Sequence, residues 1–141
     1  MRSALFDTSI YVSALRRGDA GSAVARFIAE NDMWLSAVVL EELYAGARER
    51  DRHVVELIEG RFSKESRILL PAIDDWIQAG KVLSRLAAKY DYEQIGRNRL
   101  TNDALMAMSA ARTGVTILTA NVRDFRKLAE FRAFSWQVAS I

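Results

Sequence analysis

The chain has 141 residues, half of them hydrophobic, with a net charge of +2, one His and no Cys. Those last two counts exclude thiolate nucleophiles, zinc sites built from Cys and His, and catalysis by paired imidazoles. Any catalysis must rest on carboxylates, Lys, hydroxyls, or a metal held by oxygen ligands.

The length suits one domain spanning 1–141, with apolar residues spread throughout and no linker, repeat or low-complexity tract. Asp7 follows Leu5-Phe6 at once, so no signal-peptide core is expected, and no apolar run is long enough to span a membrane. Together with the absence of Cys, this predicts a cytoplasmic protein. Lys and Arg nearly balance Asp and Glu, so contacts to phosphate would depend on local groups such as Arg16-Arg17, Arg48/Arg50/Arg52, Arg97/Arg99 and Arg123/Arg126.

In chain order, Leu5-Phe6 predict a short buried strand ending at Asp7, and Asp7-Thr8-Ser9 cap a first helix. A second helix is expected from Ala20 to Asn31, then a strand at Met33-Trp34-Leu35. Ser36 caps a third helix whose apolar stripe is Val39, Leu40, Leu43 and Tyr44. A fourth, Arg52 to Arg61, turns Val54, Val55, Leu57 and Ile58 inward. Ile68-Leu69-Leu70 reads as a strand stopped by Pro71, and Asp74 or Asp75 opens the longest helix, with Trp76, Ile77, Val82, Leu83, Leu86 and Ala87 buried. Asp91 to Leu100 reads as a loop, and Thr101-Asn102-Asp103 caps a helix from Ala104 to Thr113 that Gly114 stops. Val115 to Thr119 is the clearest strand. Ala120 to Phe125 forms a turn and short helix, and Phe134-Ser135-Trp136 an edge strand.

Alternating strands and helices imply an α/β fold with mostly parallel pairing and right-handed crossovers. In such folds sites form at the carboxyl ends of strands, where the strand order reverses. That rule selects Asp7, Asp103, Thr119, Asn121 and Asp124, with Glu42 in the helix after the second strand. Each Asp could act only as a helix cap, and Glu42 could be a half-exposed helical acid. Gathered at one end of a sheet, however, carboxylates repel by roughly 4 kcal/mol per pair at 4 Å and an effective dielectric of 20. A hard divalent ion removes that conflict, and Mg²⁺ or Mn²⁺ suits oxygen ligands. Such a site can activate water for in-line displacement at a phosphodiester, with Thr8, Ser9, Thr119 and Asn121 orienting the acids or binding phosphate.

The strand ending in Asp7-Thr8-Ser9, the segment Ser36 to Ala47 with Glu41-Glu42-Leu43-Tyr44, the Asn102-Asp103 pair and Leu118 to Phe125 occur in an order that resembles PIN-domain ribonucleases, in particular VapC-type toxins of bacterial toxin–antitoxin pairs. The resemblance implies a three-layer α/β/α sandwich around four or five strands, and a Mg²⁺-dependent endoribonuclease in which Mn²⁺ can substitute. It makes Asp7, Glu42 and Asp103 the principal catalytic, metal-binding acids, Glu42 being chosen over Glu41 because the family's acid directly precedes the Leu. Many PIN domains have Asp where this chain has Asn121, which leaves Asp124 as the fourth carboxylate. Also implied are an RNA substrate, a homodimer and an antitoxin that covers the groove. Arg97 and Arg99 are candidate RNA contacts, and Tyr44 and Val54 are placed in the core ahead of the antitoxin groove. His53 and the three Trp residues are expected to be structural.

Two other readings stand beside this one. An aspartyl-phosphate phosphatase of the haloacid-dehalogenase kind needs a second Asp where Ser9 stands, and a Ser hydrolase needs a Gly-x-Ser-x-Gly elbow that is absent. A catalytically silent PIN-like module that binds RNA or protein is the remaining alternative, kept open by Asn121.

Overall fold

The computed structural model describes residues 2–91 and 97–139, with backbone alone for 97–99. The elements run β1 (Ser3–Phe6), α1 (Thr8–Arg17), α2 (Ala20–Glu30), β2 (Asp32–Ser36), α3 (Ala37–Gly46), α4 (Glu49–Lys64), β3 (Ile68–Leu69), α5 (Ile73–Tyr90), α6 (Arg97–Thr113), β4 (Thr116–Thr119), α7 (Val122–Ala129) and β5 (Trp136–Val138). These seven helices and five strands among the described residues form the expected α/β sandwich. No described helix is long and apolar enough to cross a membrane.

All four strand pairings are parallel, in the order β3-β2-β1-β4-β5. The order reverses between β1 and β4, so the crevice beyond their carboxyl ends opens beside Asp7 and Thr119. Helices α1 to α4 pack on one another and α5 to α7 form a second group. Right-handed crossovers place the two groups on opposite faces of the sheet. Leu5, Leu35 and Ile117 on adjacent strands are wholly buried, each stabilising the fold by about 2 kcal/mol through water-excluded area.

Side-chain hydrogen bonds open α3, α5 and α7. The Val38 amide donates to Ser36 Oγ at 3.2 Å, capping α3. Gly18 and Gly114 adopt the left-handed backbone, φ 83° and 74°, that ends α1 and α6.

Three expectations are corrected. Helix α6 begins at Arg97, not after Thr101-Asn102-Asp103, because Leu100 is buried at 1% exposure and extends the stripe that continues through Ala104 and Met108. Asp103 therefore sits in the second turn of a helix and is not its cap. On α5 the buried stripe is Asp75, Ala79, Val82 and Leu86, so Trp76 and Ile77 are turned outward at 55% and 49% exposure. Leu57 on α4 likewise points to solvent, while Val55, Ile58 and Phe62 face the core. Trp34 and Trp136 pack against the core as expected.

Candidate active site

Asp7 directly follows β1 and occupies the N-cap position of α1, where the helix dipole favours an anion. Its carboxylate is 3% exposed. Ser9 Oγ donates to Oδ1 at 2.5 Å and Thr119 Oγ1 to Oδ2 at 2.6 Å. Each hydroxyl in turn accepts a backbone N–H from the turn after β4: Ala120 N to Ser9 Oγ at 3.3 Å and Asn121 N to Thr119 Oγ1 at 2.8 Å. The β4 turn thus fixes the orientation of the β1 acid through two neutral donors. Burial pushes the Asp7 carboxyl above the ordinary carboxylate range, and the Ser9 and Thr119 hydroxyls, with the Ser9 and Ile10 amides, offset only part of that rise.

Glu42 lies in the second turn of α3 and is half-buried, whereas Glu41 is exposed. Thr8 Oγ1 donates to Glu42 Oε1 at 2.8 Å, which ties α1 to α3 at the mouth of the site. Asp7, Thr8, Ser9, Val12, Ser13, Arg16, Glu42, Asp103 and Asn121 line one cleft of about 340 Å³. The cleft therefore brings together Asp7 from β1, Glu42 from α3 and Asp103 from α6, elements far apart in sequence.

Asp124 stands apart from these lining residues. The Asn121 side-chain amide donates to Asp124 Oδ2 at 2.9 Å, and the Asp124 amide is directed at Asn121 Oδ1 at 3.4 Å, a reciprocal cap on α7. Asn121 faces the cleft and Asp124 braces it from behind. Side chains of Arg97 and Arg99 lie outside the described residues. His53 is exposed on α4, and Tyr44 and Val54 pack against the core.

The donor set suits a hard divalent cation, being carboxylates, hydroxyls and an amide with no sulfur or imidazole. Asp7 adds a specific observation: a buried carboxylate with only neutral donors among the described residues is driven toward its protonated form, and an adjacent cation would keep it ionised. Among the described residues no three acidic side chains converge tightly enough to form a finished coordination sphere. The fit is one of donor chemistry and shared cleft, with Glu42 anchored on Thr8 and not turned onto Asp7.

Sequence reasoning passed over two lining residues, Val12 and Ser13, and named Arg16 only within a local basic group that could contact phosphate. The signal was available in the helical spacing of Ser9, Val12, Ser13 and Arg16, which puts all four on the face of α1 that begins at Asp7.

Comparison with curated proteins gives no match. The structure is similar to three solved ones: the DNA-bound VapBC complex of Salmonella typhimurium (TM-score 0.68, 21% identity, 98% of both chains), VapBC2 of Rickettsia felis bound to a promoter DNA fragment (0.67, 21%, 97% of this chain and 98% of the other) and VapBC-1 of nontypeable Haemophilus influenzae (0.64, 20%, 96% of both). At such identities the likeness concerns the fold. The PIN domain family model matches residues 4–131, nearly the whole chain, and the chain therefore belongs to the PIN-domain family.

Proposed function

We propose that this protein is a metal-dependent endoribonuclease, the toxin of a VapC-type toxin–antitoxin pair, using Mg²⁺ or in its place Mn²⁺. The observation that carries the reading is the cleft at the β1/β4 reversal, where Asp7, Glu42 and Asp103 from three separate elements face one space and the buried Asp7 has no cationic partner among the described residues. Asp7, Glu42 and Asp103 would hold the ion, with Asp124 contributing through Asn121. When bound, the ion supplies Lewis-acid chemistry, activating water and stabilising the departing oxygen of a phosphodiester.

The chain's own residues do the rest. Ser9 and Thr119 hold the Asp7 carboxylate in one orientation before substrate arrives, which removes reorganisation from the reaction. Thr8 holds Glu42 at the rim. The Asn121 amide, braced by Asp124, offers a polar contact on the cleft wall. Arg97 and Arg99 supply further contacts to RNA.

The partners in this reading are RNA, an antitoxin protein that covers the cleft, and a second copy of the chain, in the cytoplasm. The antitoxin is supported by the similar structures, which are VapBC complexes. The homodimer is supported by Leu70, just before α5, and Ile73, Trp76 and Ile77 at its start, four exposed apolar side chains.

The test is cleavage of a broad RNA panel by purified protein freed of any partner. Cutting with Mg²⁺ or Mn²⁺, none with chelator, and none by folded Asp7→Asn is the expected result. A second reading, a silent PIN-like module, draws on Asn121 standing on the cleft wall where many PIN domains carry Asp, and on the dispersed acids. RNA bound but intact with every divalent ion would establish that reading and overturn the nuclease.

A further inference from the structure

The cleft that holds the acids carries an electrostatic problem of its own. Asp7, Glu42 and Asp103 give it three potential negative charges, and a nucleic-acid strand is a polyanion. Among its described lining residues, Arg16 is the single cationic side chain.

Arg16 lies in the last turn of α1, on the same stripe as Ser9, Val12 and Ser13. It is exposed and makes no hydrogen bond or ion pair with the described residues, whereas the next residue, Arg17, is bound to Asp19 at 3.3 Å. A second groove of about 270 Å³ adjoins the cleft and shares Val12, Arg16 and Glu42 with it. Its floor is apolar, formed by Val12, Leu15, Leu43 and Ala47. The other arginine in that groove, Arg48, is neutralised by Asp51 at 3.0 Å. Arg16 thus stands at the junction of the two cavities with its charge uncommitted.

We propose that Arg16 is a substrate-positioning residue: its guanidinium holds a phosphate that flanks the scissile one, where a single RNA strand passes from the acidic cleft into the adjoining groove. The proposal rests on reading the cleft as a nucleic-acid site. The Arg16 backbone lies roughly 13 Å along the α1 axis from that of Asp7, which places its guanidinium on the same cleft but toward a phosphate next to the one that reacts. A planar guanidinium matches a phosphate with two parallel N–H donors. The apolar floor beyond it accepts the next nucleoside without requiring a particular base edge.

The experiment measures binding and cleavage separately, with a fluorescently labelled, mixed-sequence library of single-stranded RNA oligonucleotides. Binding is followed across a salt series in Ca²⁺, and cleavage in Mg²⁺, for the parent, Arg16→Gln, Arg16→Lys and Arg48→Gln. Arg16→Gln is expected to bind about tenfold more weakly and to flatten the slope of log affinity against log salt by about 0.7, the contribution of one single-strand phosphate contact. Its KM rises while kcat holds, Arg16→Lys recovers part of the loss, and Arg48→Gln changes little. A role confined to the end of α1 would shift melting temperature and leave the salt slope alone. Unchanged affinity and slope in Arg16→Gln, or a loss confined to kcat, overturns the proposal even if the parent cuts RNA. A parent that binds RNA through Arg16 but cuts none overturns the nuclease reading and leaves Arg16 in place; a parent that does neither overturns both.

Discussion

Two aspartates are almost equally hidden in this molecule, and their surroundings differ in kind. Asp75 on α5 is 1% exposed and fully answered: Arg112 Nε donates to both its oxygens at 3.1 and 3.0 Å, and the Ala72 amide donates at 2.8 Å. Arg112 also reaches the Leu70 carbonyl at 3.3 Å, so the pair fastens the start of α5 to the end of α6. Asp7 is 3% exposed and, among the described residues, receives bonds only from neutral groups. A buried charge with a fixed counter-ion is architecture, and in the proposed reading the one without it receives a cation from outside. The contrast separates the two carboxylates more clearly than burial does.

The sharpest way to break that contrast is to neutralise each acid. Asp7→Asn is expected to lower RNA cleavage by about 10³-fold or more, the scale of losing several kcal/mol of metal-borne charge stabilisation, while the protein stays folded; cleavage assays beside thermal melts check both halves. Thr119→Val removes one of the two hydroxyls that orient Asp7 and should cost about 10- to 100-fold in metal affinity or rate, seen as a raised Mg²⁺ requirement in cleavage titrations.

Arg112→Ala should act on stability alone. It strands a buried carboxylate, for which about 3 kcal/mol is expected, the lower end because the Arg112 side chain is itself 40% exposed. Denaturant unfolding measures the loss, and Asp75→Ala combined with Arg112→Ala should cost less than the sum of the two single changes.

pH sharpens the comparison from the other side. Because the folded state raises the Asp7 carboxyl above its ordinary 3.8, the folded protein holds more protons than the unfolded chain between those two values. Its contribution to stability is then fully present below 3.8 and is lost as pH rises through the raised value. In chelator, Asp7→Asn should flatten that decline, and in the parent Mg²⁺ should oppose it, both read by melting across pH. The smallest effect belongs to Tyr11, wholly buried on α1 with a hydroxyl that has no partner among the described residues. Tyr11→Phe should raise stability by about 1 kcal/mol in the same assay.

The same contrast explains what could be read from the amino-acid sequence. Asp7-Thr8-Ser9 after an apolar strand, Ser36 before α3 and Val115 to Thr119 are local patterns, and local patterns survive folding. The meeting of Asp7, Glu42 and Asp103 followed from the rule for open α/β sheets together with the family resemblance. Partners supplied from afar were invisible. The α5 stripe runs through Asp75 only because Arg112, 37 residues later, compensates its charge. A reading that places hydrophobic residues inside therefore turned Trp76 and Ile77 inward in its place. The charged run Arg97-Asn98-Arg99 concealed the first turn of α6, whose apolar stripe opens with Leu100. Asn121 and Asp124 illustrate a finer limit: both polar residues were visible, and only their mutual hydrogen bonds show which one faces the cleft.

The most direct test of the central claim, that the Asp7 cleft is built to receive a divalent cation, is calorimetric titration of Mn²⁺ into the parent protein and Asp7→Asn at neutral pH. Binding by the parent that is abolished in the folded Asp7→Asn variant is the predicted result. Equal binding by both proteins, or none by the parent, would contradict it.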